Sequence, residues 1–237
     1  MFSACSSNNY APISNLERPK TVTKGSYVVR KGDTLFSIAW RYGRDYRELA
    51  KSNGIRWPYT IFSGQRISLS KRRASTKKWT PTASNQPIKK PLQKNTQKQT
   101  TQQKKKAQVK SQPLITKGPI VWYWPAKGPI ISKFSGSNKG IDIKGKTGQS
   151  VNAAAAGTVV YAGSGLAGYG NLIIIKHSEV FLSAYAHNKK ILVREKNKIK
   201  AGAKIAEIGS SGASETKLHF EIRKNGKPVN PLWYLPK

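Results

Sequence analysis

The chain has one cysteine and three histidines in 237 residues. A single thiol excludes an internal disulfide framework and any zinc site built from several thiolates. Three histidines leave room only for a sparse metal site, or one that leans on carboxylates. Acidic residues are scarce as well: 10 Asp and Glu face 43 Lys and Arg, a formal charge of +33. No apolar run approaches the roughly 18–20 residues of a membrane-spanning helix, which excludes a span of that kind. Hydrophobic residues make up 37% of the chain, enough for a core, though not along its whole length. The balance points to a basic, modular protein.

The shortage of acid is uneven. No Asp or Glu occurs between Glu48 and Asp142. Within that window, residues 71–118 are rich in Lys, Gln, Thr, Ser and Pro, with the runs Lys77-Lys78, Lys89-Lys90 and Lys104-Lys105-Lys106. They show neither a helical nor a strand period. Such a segment buries too little apolar surface to offset its ordering entropy, and its like charges repel. A disordered, extended basic linker is expected. Its charge suits a polyanion, but it lacks the repeated aromatics that stack bases. A solvated linker with no specific nucleic-acid partner is the preferred reading.

Residues 26–70 read as strand, helix, helix, strand. Tyr27 to Arg30 is β-prone, and Lys31-Gly32-Asp33 turns out of it. Leu35, Ile38, Ala39 and Tyr42 follow the i, i+3, i+4, i+7 spacing of one helix face. Thr34 or Asp33 is suited to cap that helix, and Gly43 to end it. A second helix begins at Asp45, with Glu48 as a capping-box partner, and stops near Asn53-Gly54. The stretches Tyr27-Val28-Val29-Arg30-Lys31-Gly32-Asp33-Thr34-Leu35 and Ile61-Phe62-Ser63-Gly64-Gln65-Arg66-Ile67 resemble the LysM module. The resemblance implies a small α+β (βααβ) domain that binds peptidoglycan through its N-acetylglucosamine-containing glycan. Gly32, Asp33, Thr34 and Leu35 would form one wall of the groove, and Ile61, Phe62 and Gly64 the other.

Residues 119–237 read as antiparallel all-β. Gly157 to Gly163 is a glycine-bounded strand, and Asn171-Leu172-Ile173-Ile174-Ile175-Lys176 is a continuous apolar run, hence a strand buried on both faces. Further strands are expected over 180–186, 204–208 and 218–222, with no convincing amphipathic helix. Gly140-Ile141-Asp142-Ile143, Gly168-Tyr169-Gly170-Asn171, Tyr185-Ala186-His187 and Leu218-His219-Phe220-Glu221-Ile222 resemble the LytM domain of the M23 metallopeptidases. Active members hold zinc with His-x-x-x-Asp and the second His of His-x-His. Here Asn138 stands four before Asp142, and Lys217 stands two before His219. A catalytic zinc wants three protein ligands and an open water site, and only Asp142 and His219 remain. Lys217, on the same strand face as His219, would repel a metal. No catalytic residue, no metal and no other cofactor is therefore expected. Asp142 would be left costly and unpaired, so an ion pair with Lys217 is expected, with Asn138 donating a further hydrogen bond nearby. His187, Tyr185, Asn188 and Tyr169 become candidates for a groove that binds a protein partner.

A LysM module, a polar linker and a LytM domain with these replacements resemble the NlpD family of murein hydrolase activators. Asn138 to Ile143, Gly168 to His177 and Ser183 to Asn188 carry that likeness. It implies a non-catalytic activator of a periplasmic N-acetylmuramoyl-L-alanine amidase, acting in septal wall splitting and daughter-cell separation. A zinc metalloendopeptidase of peptidoglycan with altered ligands is the alternative, and a polyanion binder dominated by the linker is a third reading. In the tail 1–25, Phe2-Ser3-Ala4-Cys5-Ser6 resembles the end of a lipoprotein signal. The charged and apolar regions that precede such a site are missing, so a remnant lipobox is expected, with Cys5 the lipidation candidate for an outer-membrane anchor. The two modules share no expected core, and each is expected to fold alone.

Overall fold

The computed structural model describes residues 24–70 and 119–237. The lipobox expected at Cys5 and the linker expected over 71–118 lie outside the described residues.

The N-terminal module runs β1 (Ser26–Val28), α1 (Leu35–Arg41), α2 (Tyr46–Ser52) and β2 (Arg66–Ser68), with β1 and β2 antiparallel. Thr34 rather than Asp33 caps α1. Its hydroxyl accepts from the Ser37 amide at 3.0 Å while the Ser37 hydroxyl accepts from the Thr34 amide, a reciprocal capping box. Asp45 caps α2 by accepting from the Arg47 and Glu48 amides. Leu35, Ile38 and Ala39 are buried as the helical spacing predicts, but Trp40 on the adjoining face is buried too. Trp40 belongs to a cluster that includes residues of the C-terminal module.

The C-terminal module is built of β3 (Ile130–Ser132), β4 (Ile141–Lys144), β5 (Ser150–Asn152), β6 (Gly157–Gly163), β7 (Leu172–Lys176), β8 (Phe181–Ala186), β9 (Asn188–Ile191), β10 (Lys198–Ile199), β11 (Lys204–Ile208), β12 (Lys217–Lys224) and β13 (Lys227–Val229). One sheet has the order β10-β6-β7-β8-β12-β4-β3, with β13 also on β12; a smaller sheet has the order β5-β11-β9. Every pairing is antiparallel. Ile173 and Ile175 of β7 join Ile141, Val151, Ile205, Leu218 and Phe220 in one core. Leu172 and Ile174, on the opposite face, belong to a second core. The run is buried on both faces, as its composition predicts.

The second core is shared between the modules. Leu35, Ile38, Leu49 and Trp40 cluster with Tyr161, Leu172, Ile174, Leu182, Ala184 and Ala186. The expectation that the modules share no core is thereby corrected: the N-terminal module covers the outer face of the large sheet. Polar contacts fix the seam. Tyr46 donates to Glu179 at 2.7 Å, Arg41 to the Gly165 carbonyl at 2.9 Å, and Arg47 to the Asn225 side chain at 2.8 Å. Asn225 and Gly226 both have positive φ, 50° and 75°, as a tight β12–β13 hairpin requires. A Cβ on Gly226 would lie 2.6 Å from the Arg44 carbonyl oxygen, so glycine also lets the two backbones meet.

Arg223 is the deepest charge at this seam. It is 1% exposed; its guanidinium lies 3.4 Å from the centre of the Trp40 ring and donates to the Trp40 carbonyl at 3.0 Å. A desolvated cation over an indole gains about 2 kcal/mol. We predict that Trp40→Ala lowers stability by about 3–5 kcal/mol, and that urea unfolding of the unmodified chain reports both modules in one transition. Two separable transitions, or a loss below about 1 kcal/mol, would mean that the modules fold independently.

Candidate functional site

Strand β12 alternates. Leu218, Phe220 and Ile222 point into the core between the sheets, which sends Lys217, His219, Glu221 and Arg223 to the other face. The neighbouring strand β8 places Ala186 and Ala184 opposite His219 and Glu221, and these small side chains leave room for buried charges. Asp142 of β4 pairs in register with His219. The result is a ladder of alternating sign. Lys217 Nζ stands 2.9 Å from Asp142 Oδ2, His219 Nδ1 2.6 Å from Asp142 Oδ1, His219 Nε2 3.2 Å from Glu221 Oε1, and Arg223 Nε 2.9 Å from Glu221 Oε2. Tyr169 donates to Glu221 at 2.7 Å.

Both ring nitrogens of His219 face carboxylates, so both must donate and the ring is an imidazolium. Burial opposes that charge, but the bonds to Asp142 and Glu221 prevail and hold its pKa up at about 9. Burial likewise raises Glu221, yet the Arg223 guanidinium and His219 outweigh it and bring its pKa down to about 2. Asp142 is lowered in the same way by His219 and Lys217, against its burial.

This donor set does not fit zinc. A ligating histidine must offer a lone pair, and here neither nitrogen has one to spare. The Lys217 ammonium occupies the space in front of Asp142, and Asn138 turns away. The expected Lys217–Asp142 pair is formed, and Asn138 donates nearby, to Oγ of Ser132 at 2.8 Å, the residue in register with Asp142, while its oxygen accepts from Gly140. Among the described residues, no group of three or more His, Cys, Asp or Glu side chains is disposed to hold a metal ion.

Of the groove candidates, Tyr185 and Asn188 are 0% exposed, a correction to their expected role as contact residues. Tyr185 accepts from the Ala154 amide and from Ser183, and Asn188 donates to the Tyr185 and Asn171 carbonyls. Tyr185 is spent on internal bonds, while Asn188 uses its Nδ2 and keeps a buried Oδ1 without a partner among the described residues. Tyr169 serves the ladder. His187 lies at the ladder's edge, its ring centre 6.0 Å from that of His219, with Nδ1 2.9 Å from the Ser211 carbonyl; burial lowers its pKa. Its φ of 64° is uncommon for a non-glycine residue.

On the N-terminal module, Gly32 and Gly64 are exposed and Thr34 and Ile61 half-buried. Leu35 is 1% exposed and packs in the core, so it offers no side chain to a groove wall; this corrects its expected place. Asp33 braces the turn, its Oδ2 accepting from Tyr27 at 2.7 Å and from the Arg30 amide at 2.8 Å. Phe62 is 71% exposed, and Trp57, which the sequence pattern did not single out, is equally exposed on the same loop. A tryptophan beside proline in a turn was the signal available for it.

The family model described as "LysM domain" matches residues 27–70, and that described as "Peptidase family M23" matches residues 136–231. The chain is 51% identical to the "Lipoprotein NlpD/LppB homolog" of Pseudomonas aeruginosa, over 97% of this chain and 82% of that protein. It is 42% identical to the "Murein hydrolase activator NlpD" of Escherichia coli, over 92% and 70%. A solved zinc-containing peptidase from Vibrio cholerae is 27% identical over 46% of this chain and 39% of that one, with a TM-score of 0.45.

Two predictions follow from the ladder. Lys217→Met should destabilise the chain more than Lys217→Met combined with Asp142→Asn, with a coupling of about 1–3 kcal/mol in denaturant titrations; strict additivity would mean the pair is not coupled. The stability profile should also have two limbs. His219 is raised, so its contribution is full below about 6.5 and is lost as pH rises through about 9. Glu221 is lowered, so its contribution is full above about 4.5 and is lost as pH falls through about 2. Melting temperatures of His219→Gln across pH 5–10 should lack the alkaline limb between roughly 6.5 and 9.

Proposed function

The chain belongs to the NlpD/LppB lipoprotein family, and on that premise we propose that it is a non-catalytic activator of a periplasmic N-acetylmuramoyl-L-alanine amidase. It holds peptidoglycan through the N-terminal module and acts where septal wall is split. The observation that carries this reading is the filled metal position. A zinc endopeptidase would have to displace the Lys217 ammonium, 2.9 Å from Asp142, and strip His219 of a carboxylate 2.6 Å away. Without a metal-bound water there is no nucleophile for peptide hydrolysis. In this reading Asn138, Asp142, Lys217 and His219 are former metal-site positions kept for shape.

The burial of Tyr185 and Asn188 restricts what an amidase could touch. The open end of the ladder remains: exposed Glu215 lies 3.5 Å from Lys217, and half-buried Thr216 contacts Thr147. We assign the amidase-facing surface to this rim and to the edge of His187. Gly32, Asp33, Thr34, Ile61, Phe62 and Gly64, with Trp57 added, line the proposed glycan groove. A lipid on Cys5 would tether the chain to the outer membrane.

Release of dye from labelled peptidoglycan tests the proposal. The protein alone should release none, and it should accelerate a periplasmic amidase that is slow by itself. Release by the protein alone, abolished by a chelator, would instead identify an endopeptidase.

A further inference from the structure

A cleft of about 700 Å³ opens between the two modules, within the roughly 300–1,000 Å³ range of small-ligand sites. Arg30 to Asp33 line it from the N-terminal module, and Ser164 to Ala167 line it from the C-terminal one. Trp40, Tyr161 and Tyr169 add aromatic surface.

Its charges do not balance. Arg30, Lys31, Arg41 and Lys139 line the cleft against Asp33 and Glu195. Arg41 and Asp33 are already committed: both bond to the Tyr27 hydroxyl, and they face one another at 3.9 Å. That leaves Arg30, Lys31 and Lys139 against exposed Glu195. Lys139 is half-buried, yet among the described residues it makes no hydrogen bond or salt bridge. The buried carboxylate that acts on it, Glu221, is already paired with His219 and Arg223. Burial pushes the Lys139 ammonium below the ordinary lysine pKa. A half-desolvated cation without an anion is costly, and a ligand that brings one is favoured.

We propose that this cleft binds the carboxylates of a stem peptide carried on the same glycan that the N-terminal module grips, so that the modules together select peptide-bearing over bare glycan. The proposal rests on the peptidoglycan reading above. Gly32 and Asp33 belong both to the expected glycan wall and to the cleft, which brings a peptide branching from a bound sugar within reach of Lys31 and Lys139. A stripped strand offers these cations only the lactyl carboxylate held against each muramic ring; a stem peptide carries further carboxylates outward from the sugar and gives each cation a charge-assisted bond. An amidase removes the stem peptide, so the chain would loosen its hold on strands already cut and stay on those still to be cut.

Calorimetric titration of the full chain with two defined fragments tests this: a bare peptidoglycan tetrasaccharide, and the same tetrasaccharide carrying tetrapeptide stems. The peptide-bearing fragment should bind about tenfold tighter. Lys139→Gln and the exposed Lys31→Gln should each bring the ratio towards one, with affinity for the bare fragment unchanged. Phe62→Ala should weaken both fragments alike. Equal affinity in the unmodified chain overturns the proposal, as does a preference that survives both lysine substitutions. If neither fragment binds, the peptidoglycan reading itself fails and this site falls with it.

Discussion

Five charged side chains share one face of a sheet because their signs alternate. Lys217, Asp142, His219, Glu221 and Arg223 each touch a neighbour of opposite charge. Any one of them alone at that depth would cost several kcal/mol. Together they form a buried polar spine along strand β12. The cations that neutralise Asp142 are covalently part of strand β12.

The spine has two ends with different needs. At the Lys217 end the charges approach solvent. At the Arg223 end they meet the N-terminal module, and Trp40 shields the guanidinium with its ring and its carbonyl. The module that is similar to a glycan-binding domain is therefore also part of the core beneath the groove. Glycan held on its turn and a partner held at the open rim would act on one packed body, joined through buried charge rather than through the linker alone.

Much of this was legible from residue types. The helix spacing of Leu35, Ile38 and Ala39, the Thr34 cap, the alternation of β12 and the Asp142–Lys217 pair all rest on local periodicity or on the cost of a buried charge. The run from Leu172 to Ile175 declared a strand covered on both sides. What covered the second side was not declared, because apolar surface is non-directional and names no partner. Tyr185 and Asn188 show the same boundary from the other side. Their motif placed them at the groove, but burial turned both side chains inward.

The sequence by itself determined the two modules, their strand and helix periods, and the charges that could not be left alone. Only the tertiary structure decided that Arg223 finds Trp40, that His219 lies between two carboxylates, and that Asn138 turns to Ser132. Period two or period 3.6 is written in neighbouring residues. Contacts such as Arg223 with Trp40, 183 positions apart, depend on how whole elements pack, and no local pattern encodes them.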